Sequence, residues 1–235
     1  MPHLIFATTL FNAWEQASNY LYLNGAKNNL LINIETPCDY TDLGNWLIDY
    51  NPCDHNGDNI KNVVNTIFPY KLQSRMGNRN SFFQKYESIY GRAWSHKRWG
   101  TYFQRLISYG KHFNPSHPNQ IERAIVALSR PINQKSSITF HLTDSSLDAN
   151  TRPRGAPCWH FGELICHPDR SVDLLAVYRN HDYFNKAFGN FIGLSKLLKF
   201  LCTESGRNPN HLIIHSVHAD YGCSKSTFKN ILRIP

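Results

Sequence analysis

No run of the sequence approaches the roughly 18 uninterrupted apolar residues of a membrane-spanning helix, so no membrane span is expected. The opening segment, MPHLIFATTLFNAWEQ, lacks a basic lead and reaches Glu15 too soon for a secretion signal. There is no internal repeat, which excludes a repeat architecture, and no low-complexity tract, which excludes a long flexible linker. No Lys/Arg run marks a nucleic-acid-binding tail. Cysteine occurs six times, at 38, 53, 158, 166, 202 and 223, but never as CxxC and at no regular spacing. That points to free thiols, most of them small buried hydrophobes, in a soluble cytoplasmic protein.

What the chain does have is bulk and positive charge. Its 235 residues are 41% hydrophobic and 13% aromatic, enough for a sizeable core and against disorder. The formal charge of +8 suggests an anionic ligand. Because the basic residues are scattered, small phosphorylated molecules fit better than a nucleic-acid groove. Periodicity predicts a helix over residues 10–23 stopped by Gly25, a buried strand over 30–34, and a helix over 60–68 ended by Pro69. Residues 37–58 read as loop with a short helix near Trp46, and 75–81 (RMGNRNS) as a mobile basic loop. Residues 98–110 and 119–129 read as amphipathic helices, the second with Ile121, Ile125, Val126 and Leu128 inward. A strand over 136–142 and a loop over 143–155 follow.

The second half is plainer. Residues 157–167 and 171–179 read as strands separated by the turn-forming Pro168-Asp169. Paired as a tight antiparallel hairpin, they set His167 opposite Arg170 and Cys158 opposite Arg179. A thiol and a guanidinium then meet at the open end, where the cation favours the nucleophilic thiolate. A helix over 190–204, closed by Gly206, and a buried strand over 212–217 come after. The nearby Cys158, His160, Cys166 and His167 make a poor metal site. His167 has the opposite parity, and an extended strand spreads the other three over more than about 20 Å.

These residues resemble the pattern of the thymidylate synthase family. Pro157-Cys158 matches its Pro-Cys nucleophile. Arg179-Asn180-His181-Asp182-Tyr183-Phe184, with Asn190 beyond, is similar to its Arg-Ser-x-Asp-x-Phe and following Asn. Tyr90-Gly91-Arg92-Ala93-Trp94 looks like Tyr-Gly-x-x-Trp, the segment from Asn119-Gln120-Ile121 to Pro131 like the Asp-Gln-Ile helix, and His218 to Tyr221 like His-x-Tyr with one extra residue. The resemblance runs over roughly residues 84 to 222, in order. It implies an α/β fold with a mixed sheet, one domain over 1–235 whose residues 1–83 diverge, and a homodimer packed sheet to sheet. It implies one-carbon transfer from 5,10-methylenetetrahydrofolate to C5 of dUMP, UMP, dCMP or CMP, after a Cys158 thiolate adds at C6. By the same resemblance Arg179 and Asn180 hold the phosphate, Asn190 reads the base, and His218 and Tyr221 bind the sugar. Asp182 and Trp94 lie at the folate, and Tyr90 joins Cys158, Arg179 and Asp182 in catalysis.

The departures from the family pattern leave alternatives open. Asn180 replaces a phosphate-contacting Ser, and Trp159 follows the nucleophile where most members have His, with His160 one later. The arginine pair lent across the dimer falls at Gln134-Lys135; Arg75, Arg79, Arg152 and Arg154 are candidate substitutes. The catalytic Glu falls near Thr66, with Glu35 and Glu87 as weak substitutes. The short N-terminal half looks closer to compact synthases and pyrimidine hydroxymethylases, so methyl and hydroxymethyl products both stand. Asn190 leans toward uracil. A degenerate member that binds nucleotides without catalysis is the alternative from another class. A cysteine in a strand, an Asp or Asn at a helix start and a histidine among apolar residues are also ordinary structural features.

Overall fold

The computed structural model describes residues 1–41, 60–90, 100–108, 119–131, 136–144, 148 and 157–227. In chain order these form β1 (His3–Ala7), α1 (Leu10–Asn24), β2 (Lys27–Ile34), α2 (Ile60–Ile67), α3 (Tyr70–Gln73), α4 (Arg79–Tyr90), α5 (Tyr102–Ser108), α6 (Gln120–Leu128), β3 (Ser136–His141), β4 (Trp159–Cys166), β5 (Ser171–Tyr178), β6 (His181–Asp182), α7 (Ala187–Ser205) and β7 (Asn208–Asp220). The expected α/β class with a mixed sheet is what they build. The short helix expected near Trp46 lies outside the described residues.

The described strands form one sheet in the order β1-β2-β7-β5-β4-β3, with β6 also on β7. The β1–β2 and β5–β7 pairs are parallel, and each is bridged by a helix, α1 and α7, as a parallel crossover requires. The other long pairs are antiparallel. The Thr9 hydroxyl caps α1 by accepting from Asn12 N at 3.2 Å, and Gly25 ends it at φ 77°. At the end of α7, Gly206 takes φ 69°, a left-handed turn open to glycine.

Several expectations are corrected. β1 was not foreseen. The stretch 75–81 is not wholly loop: α4 begins at Arg79, and the Asn78 side chain accepts from Ser81 N at 2.9 Å to start it. Arg79 is held by Glu122 and Glu204 rather than free to serve an anion. α5 is buried along nearly its whole length, not amphipathic. On α6 the inward residues are Ile121, Ala124, Ile125 and Leu128, while Val126 is exposed, since the stripe repeats every three to four residues.

Helices cover one face of the sheet. α7 lies deepest, and its Gly189 and Gly193 sit so close to α2 that a Cβ on either would come within 2.7 Å of Val63 or 2.9 Å of Ile67. The opposite face carries a row that crosses the sheet in register: Leu4, Leu31, His215, Val177, Phe161 and His141. Among the described residues no helix covers that face, and Leu4, Phe6 and Val217 stand exposed on it or beside it. No helix among the described residues is long and apolar enough to cross a membrane.

Candidate active site

The β4–β5 hairpin sets the site. Its turn is not the tight one expected. Arg170 adopts φ 71°, His167 N donates to Ser171 O, and Cys166 pairs with Val172, one step off the predicted register. At the open end the ladder slips again, because Trp159 pairs with Tyr178 and Phe161 with Val177, leaving a bulge at His160. The two shifts cancel. Cys158 therefore lies opposite Arg179 as the sequence predicts, and Arg179 N donates to Cys158 O at 2.9 Å. The bulge also breaks the side-chain alternation, so Cys166 shares the helix-covered face with Trp159 and not with Cys158.

The turn that carries Cys158 is pinned from two directions. The Tyr102 hydroxyl, from α5, accepts from both Cys158 N at 3.1 Å and Trp159 N at 3.2 Å. The Pro157 carbonyl accepts from Arg179 Nε at 3.1 Å and lies 3.1 Å from His160 Nε2, which donates to it as the N–H. Cys158 is half-buried, and burial pushes its thiol above the ordinary value. Arg179 and Lys186 pull it down and Asp182 pushes it up, without reversing the result. The expectation that the guanidinium would favour the thiolate is thus met in direction only, and the resting thiol keeps its proton.

Beyond Arg179 the chain enters β6, which pairs His181 with Ala219 and Asp182 with Asp220 of β7. Asp182 accepts from Phe184 N, Asn185 N and Asn185 Nδ2 at 3.0, 2.9 and 2.8 Å, shaping the turn into α7. Burial raises its carboxyl despite those donors. Gly222, at φ 64°, passes so near that a Cβ would lie 2.5 Å from this carboxylate. Asn190, 4% exposed, is in the first turn of α7 and contacts His181. His218 and Tyr221 lie at the end of β7, where His218 Nδ1 is 2.8 Å from Asn28 Oδ1 of β2 and Tyr221 packs on the core.

Cys158, Arg179 and Asp182 are therefore brought together, and Asn190 contacts His181, the residue before Asp182. Asn180 is exposed in the bend after Arg179. Tyr90 ends α4 and stacks on Tyr86 at 4.5 Å. Trp94, Gln134, Lys135, Arg152 and Arg154 lie outside the described residues. Thr66 turns its hydroxyl back to Val63 O within α2. The sequence reading missed Tyr102, Lys186 and the His181–Ser216 contact. Only His181, inside the Arg-x-x-Asp pattern, had a signal that pointed to it. A groove of ≈ 550 Å³ between α6 and β3 is lined by Gln120, Arg123, Arg130 and His141 among others, and none of the site residues borders it.

No protein-family model and no curated protein matches the sequence. Among solved structures the chain is similar to thymidylate synthase from T4 phage, with a TM-score of 0.57 over 94% of this chain and 80% of that one, at 15% identity. The fold is thymidylate synthase-like. At that identity the likeness is one of architecture alone, and the chemistry rests on this chain's own side chains.

Proposed function

We propose that the protein transfers a one-carbon unit from 5,10-methylenetetrahydrofolate to C5 of a pyrimidine nucleoside monophosphate (dUMP, UMP, dCMP or CMP). The observation that carries this is the meeting of Cys158 and Arg179 across the bulged end of the hairpin, inside a thymidylate synthase-like fold. Cys158 gives its proton to water and the thiolate Sγ adds to C6, so that the C5–C6 π pair moves to C5 and makes it nucleophilic. Once C5 has bonded the carbon unit, the C5 proton leaves to water and Sγ is eliminated from C6. Arg179, tethered by Nε to the Pro157 carbonyl, serves the phosphate with Asn180 and lowers the cost of forming the thiolate. Asn190 reads the base edge, and His218 and Tyr221 take the sugar. Tyr90 joins Cys158 and Arg179 in catalysis, and Trp94 binds the folate.

The folate would supply the carbon unit and, for a methyl product, the hydride. Asp182 suits it: an ionised carboxylate accepts about four hydrogen bonds and three are used locally, which leaves capacity for a pterin N–H. Its pKa, raised by burial, also suits it to proton transfer at the site. We assign one domain to residues 1–235, acting as a homodimer in the cytoplasm. A second reading, a nucleotide-binding sensor without catalysis, is favoured by one observation. Thr66, where the family has its Glu, spends its hydroxyl inside α2.

Incubation with methylenetetrahydrofolate and each of the four nucleotides, read by mass spectrometry, tests the reading. A methylated or hydroxymethylated nucleotide supports it. Binding without product from any of the four supports the sensor. Cys158→Ser is expected to abolish tritium release from a 5-tritiated substrate while keeping nucleotide binding; substantial release by that variant removes Cys158 from the mechanism.

A further inference from the structure

Asn190 does not stand alone in the first turn of α7. Its Nδ2 lies 3.1 Å from His181 Nε2, His181 Nδ1 lies 2.9 Å from Ser216 Oγ, and Ser216 Oγ lies 3.0 Å from the Tyr183 hydroxyl. All four residues are buried: Asn190 is 4% exposed, His181 1%, and Ser216 and Tyr183 0%. The ring of His181 cannot turn over to exchange its nitrogens. It stacks on Tyr178 at 4.1 Å and an interplanar angle of 4°, with Tyr183 and Phe191 at 5.1 and 5.8 Å. Its backbone is fixed by the pairing of β6 with β7.

An amide nitrogen donates and cannot accept. With Nδ2 on Nε2, the imidazole nitrogen there is bare, so Nδ1 carries the hydrogen and donates it to Ser216 Oγ. Burial keeps this ring neutral, with its protonation pushed down to about 3, so it holds a single hydrogen and its tautomer is a two-way setting. The other setting would put the hydrogen on Nε2 and require Asn190 to present Oδ1 to it, with Ser216 donating back to Nδ1. Turning the Asn190 amide therefore requires moving the histidine hydrogen from Nδ1 to Nε2 and reversing the hydrogen bonds of Ser216 and Tyr183 with it.

The two amide orders match different bases. Uracil offers an N–H beside a carbonyl, and cytosine a bare ring nitrogen beside an amino group. One order of Oδ1 and Nδ2 pairs with the first and the reverse order with the second. We propose that His181 is a specificity-determining positioning residue: held by its stack on Tyr178 and coupled to Ser216 and Tyr183, it ties the order of the Asn190 amide to its own tautomer and so sets which pyrimidine the site prefers. This rests on the proposed function, in which Asn190 meets the base. It adds a second residue that decides the base without touching it.

The test is calorimetric binding of dUMP, UMP, dCMP and CMP to wild type, His181→Met and Ser216→Ala, with ¹⁵N NMR of the His181 ring in wild type. Wild type is expected to prefer one base by about tenfold or more, because the wrong edge leaves buried donors or acceptors unpaired. His181→Met, which frees the amide to turn, should bring the ratio close to one while affinity for the preferred nucleotide falls less than the discrimination does. Ser216→Ala should reduce the ratio in the same direction. The ring should show the Nδ1–H tautomer alone. An unmoved base ratio in a folded His181→Met, equal affinity for both bases in wild type, or an Nε2–H ring would each overturn this inference and leave the proposed function standing. Failure of all four nucleotides to bind wild type would overturn the proposed function and this inference with it.

Discussion

Cys158 sits where burial and a neighbouring cation oppose each other, and burial prevails. A thiol raised above its ordinary value is mostly protonated at neutral pH, and its reactivity climbs as pH rises toward that value. Carbamidomethylation of Cys158 by iodoacetamide, followed by peptide mass spectrometry from about pH 6 to about pH 10, should therefore inflect above the usual thiol range. Arg179→Met removes the charge that most favours the thiolate. The inflection should move higher still, and the rate at a fixed lower pH should drop by up to about tenfold for each unit moved. An inflection below the usual range, or faster labelling in Arg179→Met, would contradict this balance of burial against charge. Asp182 shows the same competition, since three local donors do not offset its burial. Neither outcome is legible in the sequence: the hairpin register shows that a cation lies opposite Cys158, not how much water the fold removes.

At the scale of elements, α7 and α2 make the tightest join. With Val63 Cβ 2.7 Å from where a Cβ on Gly189 would stand, Gly189→Ala should cost about 1–3 kcal/mol, read as a lower urea midpoint. Val63→Ala should rescue it only in part, because the Cβ of residue 63 is itself one of the clashing atoms and Ile60 O lies 3.2 Å away. An unchanged midpoint in Gly189→Ala would mean that the helices are less closely packed than described.

The helices that were legible in the sequence, over α1, α2, α6 and α7, had caps or Gly and Pro stops beside a periodic apolar stripe. α4 was missed because its start, RMGNRN, has the composition of a turn, and Asn78 uses that chemistry to begin a helix. β1 was missed because five residues at a sheet edge hold too little alternation to register. The Cys158–Arg179 pairing came out correct through two compensating irregularities, a left-handed Arg170 and a bulge at His160, neither of which parity counting can foresee. The contact of His181 with Ser216 was out of reach, since it depends on a two-residue strand joining β7.

The whole molecule has two unlike faces. One is closed by helices, and the other presents Leu31, His215, Val177 and Phe161 in a row across four strands, flanked by a second row through Asn33, Ile213 and Leu175. Asn33 Oδ1 in that second row is buried without a hydrogen-bond partner among the described residues. An apolar sheet face of this extent is what a second copy would cover, and a stable pairing buries about 1,200–2,000 Å² or more in total. The proposed homodimer therefore predicts sedimentation at about twice 27.2 kDa. Val177→Glu places a carboxylate in the middle of the row, a charge that a covering second copy would have to bury. That variant should sediment as a monomer and lose one-carbon transfer if the phosphate charge comes from the partner, because Arg79 is held by Glu122 and Glu204 within its own chain. A wild type that sediments as a monomer would dispose of the dimer. A monomeric Val177→Glu that kept full activity would show that one chain completes its own site.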